Sequence, residues 1–510
     1  MSPQVTALFF LAALFLQAAC GSEPKDDGET SDPLRRARPE RTAEKAPNVL
    51  LFSIDTLRAD HLGAYGYERE VSPRIDAFAE ESVRFTHAIS QAPSTAPAHM
   101  SIFTATTPAV HKVRNMGGRH ALRAVDPAIP PLTETFAEHG YLNAGFHGGG
   151  NVSKSFGFDR GFDLYSQDLI SYNWLDVFRD SGDLDSLRHW IRLAGDRNRP
   201  FFLFLHHYVC HAPYISAPQA HLRPLLEGRR AEGLPDGIPD EKRWTVVDEL
   251  EKIRSSRNKV LLMQKLFGHE LKSFWKGVDL SRREHREHIV AMYDAGVRYS
   301  DHLFGEVLDL LEEEGVSGET LVVLLSDHGE EFGEHGGREH GRLFVEHLRV
   351  PLLIRFPRGS GIEPRVVERP VRTMDVLPTV LDYLDVRIEH PVQGVSFLGT
   401  VGEGAGYDPP LVSFGDPLGE VRLLTDAYTY TNESFGGVSS WLFSRSGDPR
   451  ESDNLSAENE DVVERMESRA RELLEKERAF EVELRRWSEQ KRERLDPRLL
   501  KQLEMLGYLE

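Results

Sequence analysis

Cysteine is nearly missing from this 510-residue chain: there are two, Cys20 and Cys210. Cys20 falls in an amino-terminal export segment, which leaves Cys210 without a partner and excludes a disulfide-held scaffold. Long apolar runs are scarce as well. The uncharged stretch at residues 5–16 falls short of the ~20 residues that a spanning helix needs, and no second candidate span appears. Positive charge is outnumbered, with 61 Lys and Arg against 81 Asp and Glu for a formal net charge of −20. That balance, without any aromatic-basic patch, argues against nucleic acid as a partner. No internal repeat is visible. The chain lacks the G-x-S-x-G elbow of serine esterases and the H-E-x-x-H of zinc proteases.

What is present is 40% apolar residues, enough for a large core in one big domain or two. The start, MSPQVTALFFLAALFLQAACGSE, reads as a cleaved signal over residues 1–20, so the protein is expected to be exported. LFLQAAC resembles the lipobox of bacterial lipoproteins, which implies a membrane anchor if Cys20 is lipidated; a plain secretory cut nearby would leave a periplasmic or extracellular protein. Residues 21–46 are polar, charged and Pro-containing, and read as a flexible tether.

From residue 47 onward, apolar runs of strand length alternate with helical patterns. This arrangement predicts an α/β fold with a mostly parallel central sheet covered by helices on both faces. Three of the runs end in polar residues suited to ligation. NVLLFSI stops at Asp55, FFLFL stops at HHYVCHAPY, and LVVLLS stops at Asp327 and His328 within SDHGEEFGEHGGREHG. Ligands bind beyond the carboxyl ends of strands in open α/β sheets, so these residues can meet there. Taken singly, Asp55 would equally serve to cap a turn, and His328 to satisfy a strand end. Glycines in the last stretch permit close backbone approach. Between the first two strands, Thr95 precedes Pro97 and a short helical pattern, the pattern of an N-cap threonine with proline in the first turn. A hydroxyl there would also sit beside unsatisfied amides that favour an anion.

Together, NVLLFSIDTLRADHLGAYGY, SDHGEEFGEHGGREHGRLFVEHLRVPLLIRFP and VRTMDVLPTVLDYLDV resemble the sulfatase family within the alkaline-phosphatase-like superfamily, over roughly residues 47–400. The chain end, LDPRLLKQLEMLGYLE, looks like the terminal segment of many sulfatase-like proteins. The resemblance implies a catalytic domain at 47–400 and a smaller C-terminal subdomain with a helical tail at 401–510. It also implies one divalent metal bound by Asp55, Asp327, His328 and Thr95, with Thr95 as the nucleophile. By the same resemblance His211 would contact the ester or leaving group, and Asn115 and His340 would bind the anion. His99 closes the T-A-P-A-H run that stands in place of C/S-x-P-S-R and joins them as a substrate-binding residue. Arg58 matches the pattern too, although an ion pair explains an arginine there equally well.

The departures set the chemistry. Threonine at 95 cannot become the formylglycine of sulfatases, and superfamily members with an unmodified threonine act on phosphorus esters. Thr56 stands where many sulfatases carry a second aspartate, and His328 where an amide is common. That exchange favours Mn²⁺ or Zn²⁺, with Ca²⁺ or Mg²⁺ remaining possible. Glu331, His335 and His340 are further ligand-type residues that sequence does not place. The expected reaction is hydrolysis of sulfate or, given Thr95, phosphate or phosphonate esters carried by a small molecule, glycan or lipid. The alternatives are an envelope phosphoglycerol-type transferase and a noncatalytic anion- or glycan-binding protein. A helical insertion at about 219–287, with Trp244, Phe267 and Trp275, reads as a surface cap that would select substrate if it lines the cleft. Residues 458–493 read as a solvated amphipathic helix.

Overall fold

The computed structural model describes residues 46–115, 123–166, 181–229, 231, 234, 274–401, 406–416, 419–433 and 438–493. The segment read as an export signal, with Cys20, all but the last residue of the stretch read as a tether, the middle of the expected helical insertion with Trp244 and Phe267, and the terminal LDPRLLKQLEMLGYLE lie outside them.

Nine strands form the main sheet: β1 (Asn48–Ile54), β2 (Val83–Ile89), β3 (Leu142–His147), β4 (Leu164–Ser166), β5 (Phe201–His207), β6 (Thr320–Leu325), β7 (Arg349–Arg355), β8 (Arg365–Val367) and β9 (Val371–Arg372). Their order is β4-β3-β5-β1-β6-β7-β2-β8, with β9 also on β2. From β4 to β6 neighbouring strands are parallel. β7 runs antiparallel to both β6 and β2.

The apolar runs are continuous because both faces are covered. Along β1, Leu50, Phe52 and Ile54 point into one core with Ile289, Met292 and Phe304 of the long helix Arg283–Glu313. Val49 and Leu51 point into the other, with Ile102 and Phe103 of helix Thr95–Thr104 and Leu377 and Leu381 of helix Val376–Tyr383. The period-2 alternation of a strand thus feeds two cores at once.

A second, four-stranded antiparallel sheet follows: β10 (Leu411–Phe414), β11 (Val421–Leu424), β12 (Tyr428–Thr431) and β13 (Trp441–Ser444). Val412, Leu423 and Leu442 pack on Val462, Met466, Ala470 and Leu473 of helix Glu460–Glu493. That helix is amphipathic, and its inward side also reaches the main domain. There Leu484 joins the second core, and Glu477 accepts hydrogen bonds from Thr107 Oγ1 at 2.5 Å and Gln393 Nε2 at 2.6 Å.

Candidate active site

Four neighbouring strands, β3, β5, β1 and β6, deliver polar residues at their carboxyl ends. His147 closes β3, His206 is the last residue but one of β5, Asp55 follows β1, and Asp327 and His328 follow β6. Parallel registry brings them level, with Ser53 opposite both His206 and Leu325, and Asp55 N–H donating to His207 O at 3.0 Å.

Potential ligand atoms of Asp55, Asp327 and His328 lie within 4.8 Å of one another, and all three residues are fully buried. Asp55 Oδ1 and Asp327 Oδ2 have no hydrogen-bond partner. Burial pushes the Asp55 carboxyl well above its usual range, and Glu330 adds to the shift. Asp327 moves the same way, through burial and then Asp55. A cation would relieve both. His328 Nδ1 donates to Gly329 O at 2.9 Å, so its Nε2 carries the lone pair, 3.3 Å from Thr95 Oγ1. Burial and the neighbouring His340 hold this imidazole well below its usual range and therefore neutral. Two orphaned carboxylate oxygens, an imidazole lone pair and a hydroxyl form a donor set that fits a divalent ion.

Thr95 opens helix Thr95–Thr104, and Ser94 rather than Thr95 holds the N-cap position. The threonine hydroxyl turns to His328, while Asn115 Oδ1 takes the Ala96 amide at 2.8 Å. Thr56, where a second aspartate was absent from the sequence, adopts a left-handed φ of 57°. In a β-branched residue that conformation costs on the order of 1–3 kcal/mol. It directs the Thr56 amide to Asp327 Oδ1 at 3.3 Å.

The remaining expected residues fall into two groups. His340 and His211 lie near the ligands, His340 tilted against His328 at 4.4 Å between ring centroids and His211 edge-on to His340 at 4.9 Å. Burial brings each down to about 4. His340 Nδ1 donates to Glu330 Oε1 at 3.0 Å, and His211 Nδ1 donates to Ala212 O at 2.6 Å. His99, by contrast, bonds within the protein through both ring nitrogens: Nδ1 donates to Thr95 O at 3.0 Å and Nε2 accepts from Ser53 Oγ at 2.9 Å. Arg58 is held in ion pairs with Asp60 and Glu334, at 2.7 and 2.6 Å, and donates to Glu330 O.

Glu331, Glu346 and His347 form a second group of potential ligand atoms, already compensated within the protein. Arg342 pairs with Glu331, and His335 bridges Glu346 Oε1 and Glu451 O at 2.6 and 2.8 Å. Two site residues were not singled out from sequence. Glu330 is buried under His340, and burial raises it to about 7. His206 donates from Nε2 to Asp55 Oδ2 at 3.3 Å. The doubled histidine ending β5 was the available signal for the second.

The sulfatase family pattern matches residues 47–386. An N-acetylglucosamine-6-O-sulfatase of Bacteroides thetaiotaomicron is 23% identical over 421 residues, 73% of this chain and 74% of that protein. A multifunctional alkaline phosphatase superfamily protein, PehA, of Trinickia caryophylli is 25% identical over 492 residues, 81% of this chain and 91% of that protein. The phosphonate monoester hydrolase of Agrobacterium radiobacter superposes with a TM-score of 0.62 at 20% identity, covering 85% of this chain and 96% of that one. With the family pattern spanning most of the main domain, the chain belongs to the sulfatase family of ester hydrolases.

Proposed function

We propose that this protein hydrolyses phosphate or phosphonate esters by double displacement through Thr95. The observation that carries the proposal is the Thr95 hydroxyl, buried at a helix start and facing His328 and the unpartnered oxygens of Asp55 and Asp327. A divalent ion held by Asp55, Asp327, His328 and Thr95 would supply a Lewis acid, lowering the hydroxyl pKa and neutralising ester charge.

With its hydroxyl proton released to solvent beforehand, Thr95 Oγ attacks phosphorus as the bond to the leaving oxygen breaks. The Asn115 side chain, fixed through Oδ1 on Ala96, keeps Nδ2 to donate to the anion, and the positive end of the helix dipole adds to that field. His211 transfers the proton at Nε2, giving it to the departing oxygen and taking one from the water that cleaves the phosphothreonine. An anionic ester beside that buried ring raises its proton affinity, which lets it carry the proton. His99, through its bonds to Ser53 and Thr95, orients the nucleophile's helix turn rather than the substrate.

The test assays the full chain against matched aryl sulfate, phosphate monoester, phosphodiester and phosphonate monoester substrates, with Thr95→Ala alongside. Expected is turnover of phosphorus esters that is lost in Thr95→Ala while the melting temperature is kept. Preference for the sulfate ester, or an unchanged rate in the variant, overturns the proposal.

A further inference from the structure

We infer that His206 is a positioning residue for the metal-binding carboxylate of Asp55, an inference that rests on the metal site proposed above. His206 stands opposite Ser53 in the parallel pairing of β5 with β1. Since side chains alternate along a strand, His206, Ser53 and Asp55 share one face. On that face His206 Nε2–H donates to Asp55 Oδ2 at 3.3 Å, both side chains being fully buried. With one oxygen engaged, Asp55 Oδ1 is the atom left without a partner. A carboxylate tied at one oxygen cannot rotate freely between one-atom and two-atom ligation, so the bond selects which oxygen is presented and in which direction.

The imidazole is itself fixed. Tyr208 meets its edge at 4.6 Å between centroids and His99 at 4.8 Å, both with interplanar angles of 87°, while Phe204 stacks at 6.1 Å. Tyr208 is anchored by its hydroxyl, which donates to Gly149 O at 3.0 Å and accepts from Asn151 N–H at 3.1 Å. It lies where a Cβ on Gly148 would sit, 2.7 Å from Tyr208 Cδ2. The glycine run after β3 therefore makes room for Tyr208, Tyr208 sets the plane of His206, and His206 sets Asp55. His206 Nδ1 is buried with no partner, so the bond to Asp55 is what the geometry offers this polar ring in the core.

The test titrates metal-stripped wild-type protein, His206→Leu, His206→Gln and His206→Asn with Mn²⁺ by calorimetry, checking each fold by circular dichroism and melting temperature. Glutamine places its amide near the position of imidazole Nε2, leucine has no donor, and asparagine is too short to reach. Expected is a rise in Mn²⁺ Kd of roughly 10- to 100-fold for leucine, mostly recovered with glutamine and not with asparagine. Should leucine fail to fold, the glutamine–asparagine pair decides by the same contrast. A wild-type Kd in folded His206→Leu, or equal Kd values for glutamine and asparagine, overturns the inference and leaves the metal site standing. Wild-type protein that takes up no Mn²⁺ overturns both.

Discussion

Asp301 is a carboxylate placed away from the site, on the long helix Arg283–Glu313, where it accepts the Ile75 amide at 2.7 Å and so caps helix Pro73–Glu80 from outside. Burial raises it to about 7; the backbone bonds to Ile75 and Arg74 and the charge of Arg74 offset part of that shift, and Asp76 adds to it. The folded state thus prefers the protonated acid. Its stabilising contribution is full below the unfolded pKa of ~3.9 and is lost as pH rises through about 7. Asp301→Asn keeps an acceptor but removes the titration, so the gap in melting temperature between the variant and wild type should widen in the variant's favour from pH 4.5 to 7.5. Parallel curves would show that Asp301 titrates normally. At the site, Asn115→Asp retains the acceptor for Ala96 but loses the donor and adds negative charge. It should lower kcat/KM for anionic esters on the order of a hundredfold, with the melting temperature unchanged; a smaller effect than tenfold would remove Asn115 from anion binding.

The connection from β6 to β7 explains why so many chemical groups crowd into SDHGEEFGEHGGREHG. β7 returns antiparallel beside β6, so the loop must leave and re-enter at adjacent points, and Gly329 N–H donates to His347 O at 2.7 Å across its neck. A Cβ at Gly329 would lie 2.0 Å from Glu346 O, a backbone atom that cannot turn aside. Gly329→Ala should therefore pry the neck apart and displace His328 and His340 together. The expected result is loss of activity with a fall in melting temperature; full activity would show that the neck is dispensable. The two ends of this loop were legible in the sequence, because Asp327 follows an unbroken apolar strand and VPLLIRF begins the next. The inner bonding was not: Glu331, His335 and His340 look alike as ligands on paper, and only their pairing partners separate a compensated network from an open site.

Across the whole molecule, the smaller sheet does more than extend the core. Arg422 on β11 and Glu451 form a bidentate pair, both buried, at 2.7 and 2.5 Å. Glu451 Oε2 also receives the Val345 amide at 2.9 Å, and Arg422 Nη1 donates to Leu343 O at 2.9 Å. Glu433 Oε2 takes the Leu343 amide at 2.6 Å. The C-terminal sheet thus holds the far end of the loop that carries His340. Glu451→Ala strands a buried guanidinium and should destabilise by ~3–5 kcal/mol, whereas the double replacement Arg422→Leu with Glu451→Leu should cost less than the single. Denaturant unfolding of both variants checks this, and a double variant less stable than the single would mean the pair itself is net stabilising.

Continuous apolar runs at strand spacing determined the mostly parallel sheet, and ligand-type residues ending three of those runs, among them Asp55, Asp327 and His328, pointed to a common neighbourhood that Thr95 joined only through the family resemblance. Local pattern suffices there, because a strand buried on both faces must be apolar throughout and its carboxyl end is where backbone direction delivers side chains to one crevice. Tertiary structure alone decided which atoms are free. Oδ1 of Asp55 is unpartnered because a histidine 151 positions away engages Oδ2, and His99 faces Ser53 and Thr95 rather than outward. Hydrogen bonds between residues so distant in sequence depend on registry and ring orientation, which are set by packing in three dimensions and leave no periodicity along the chain.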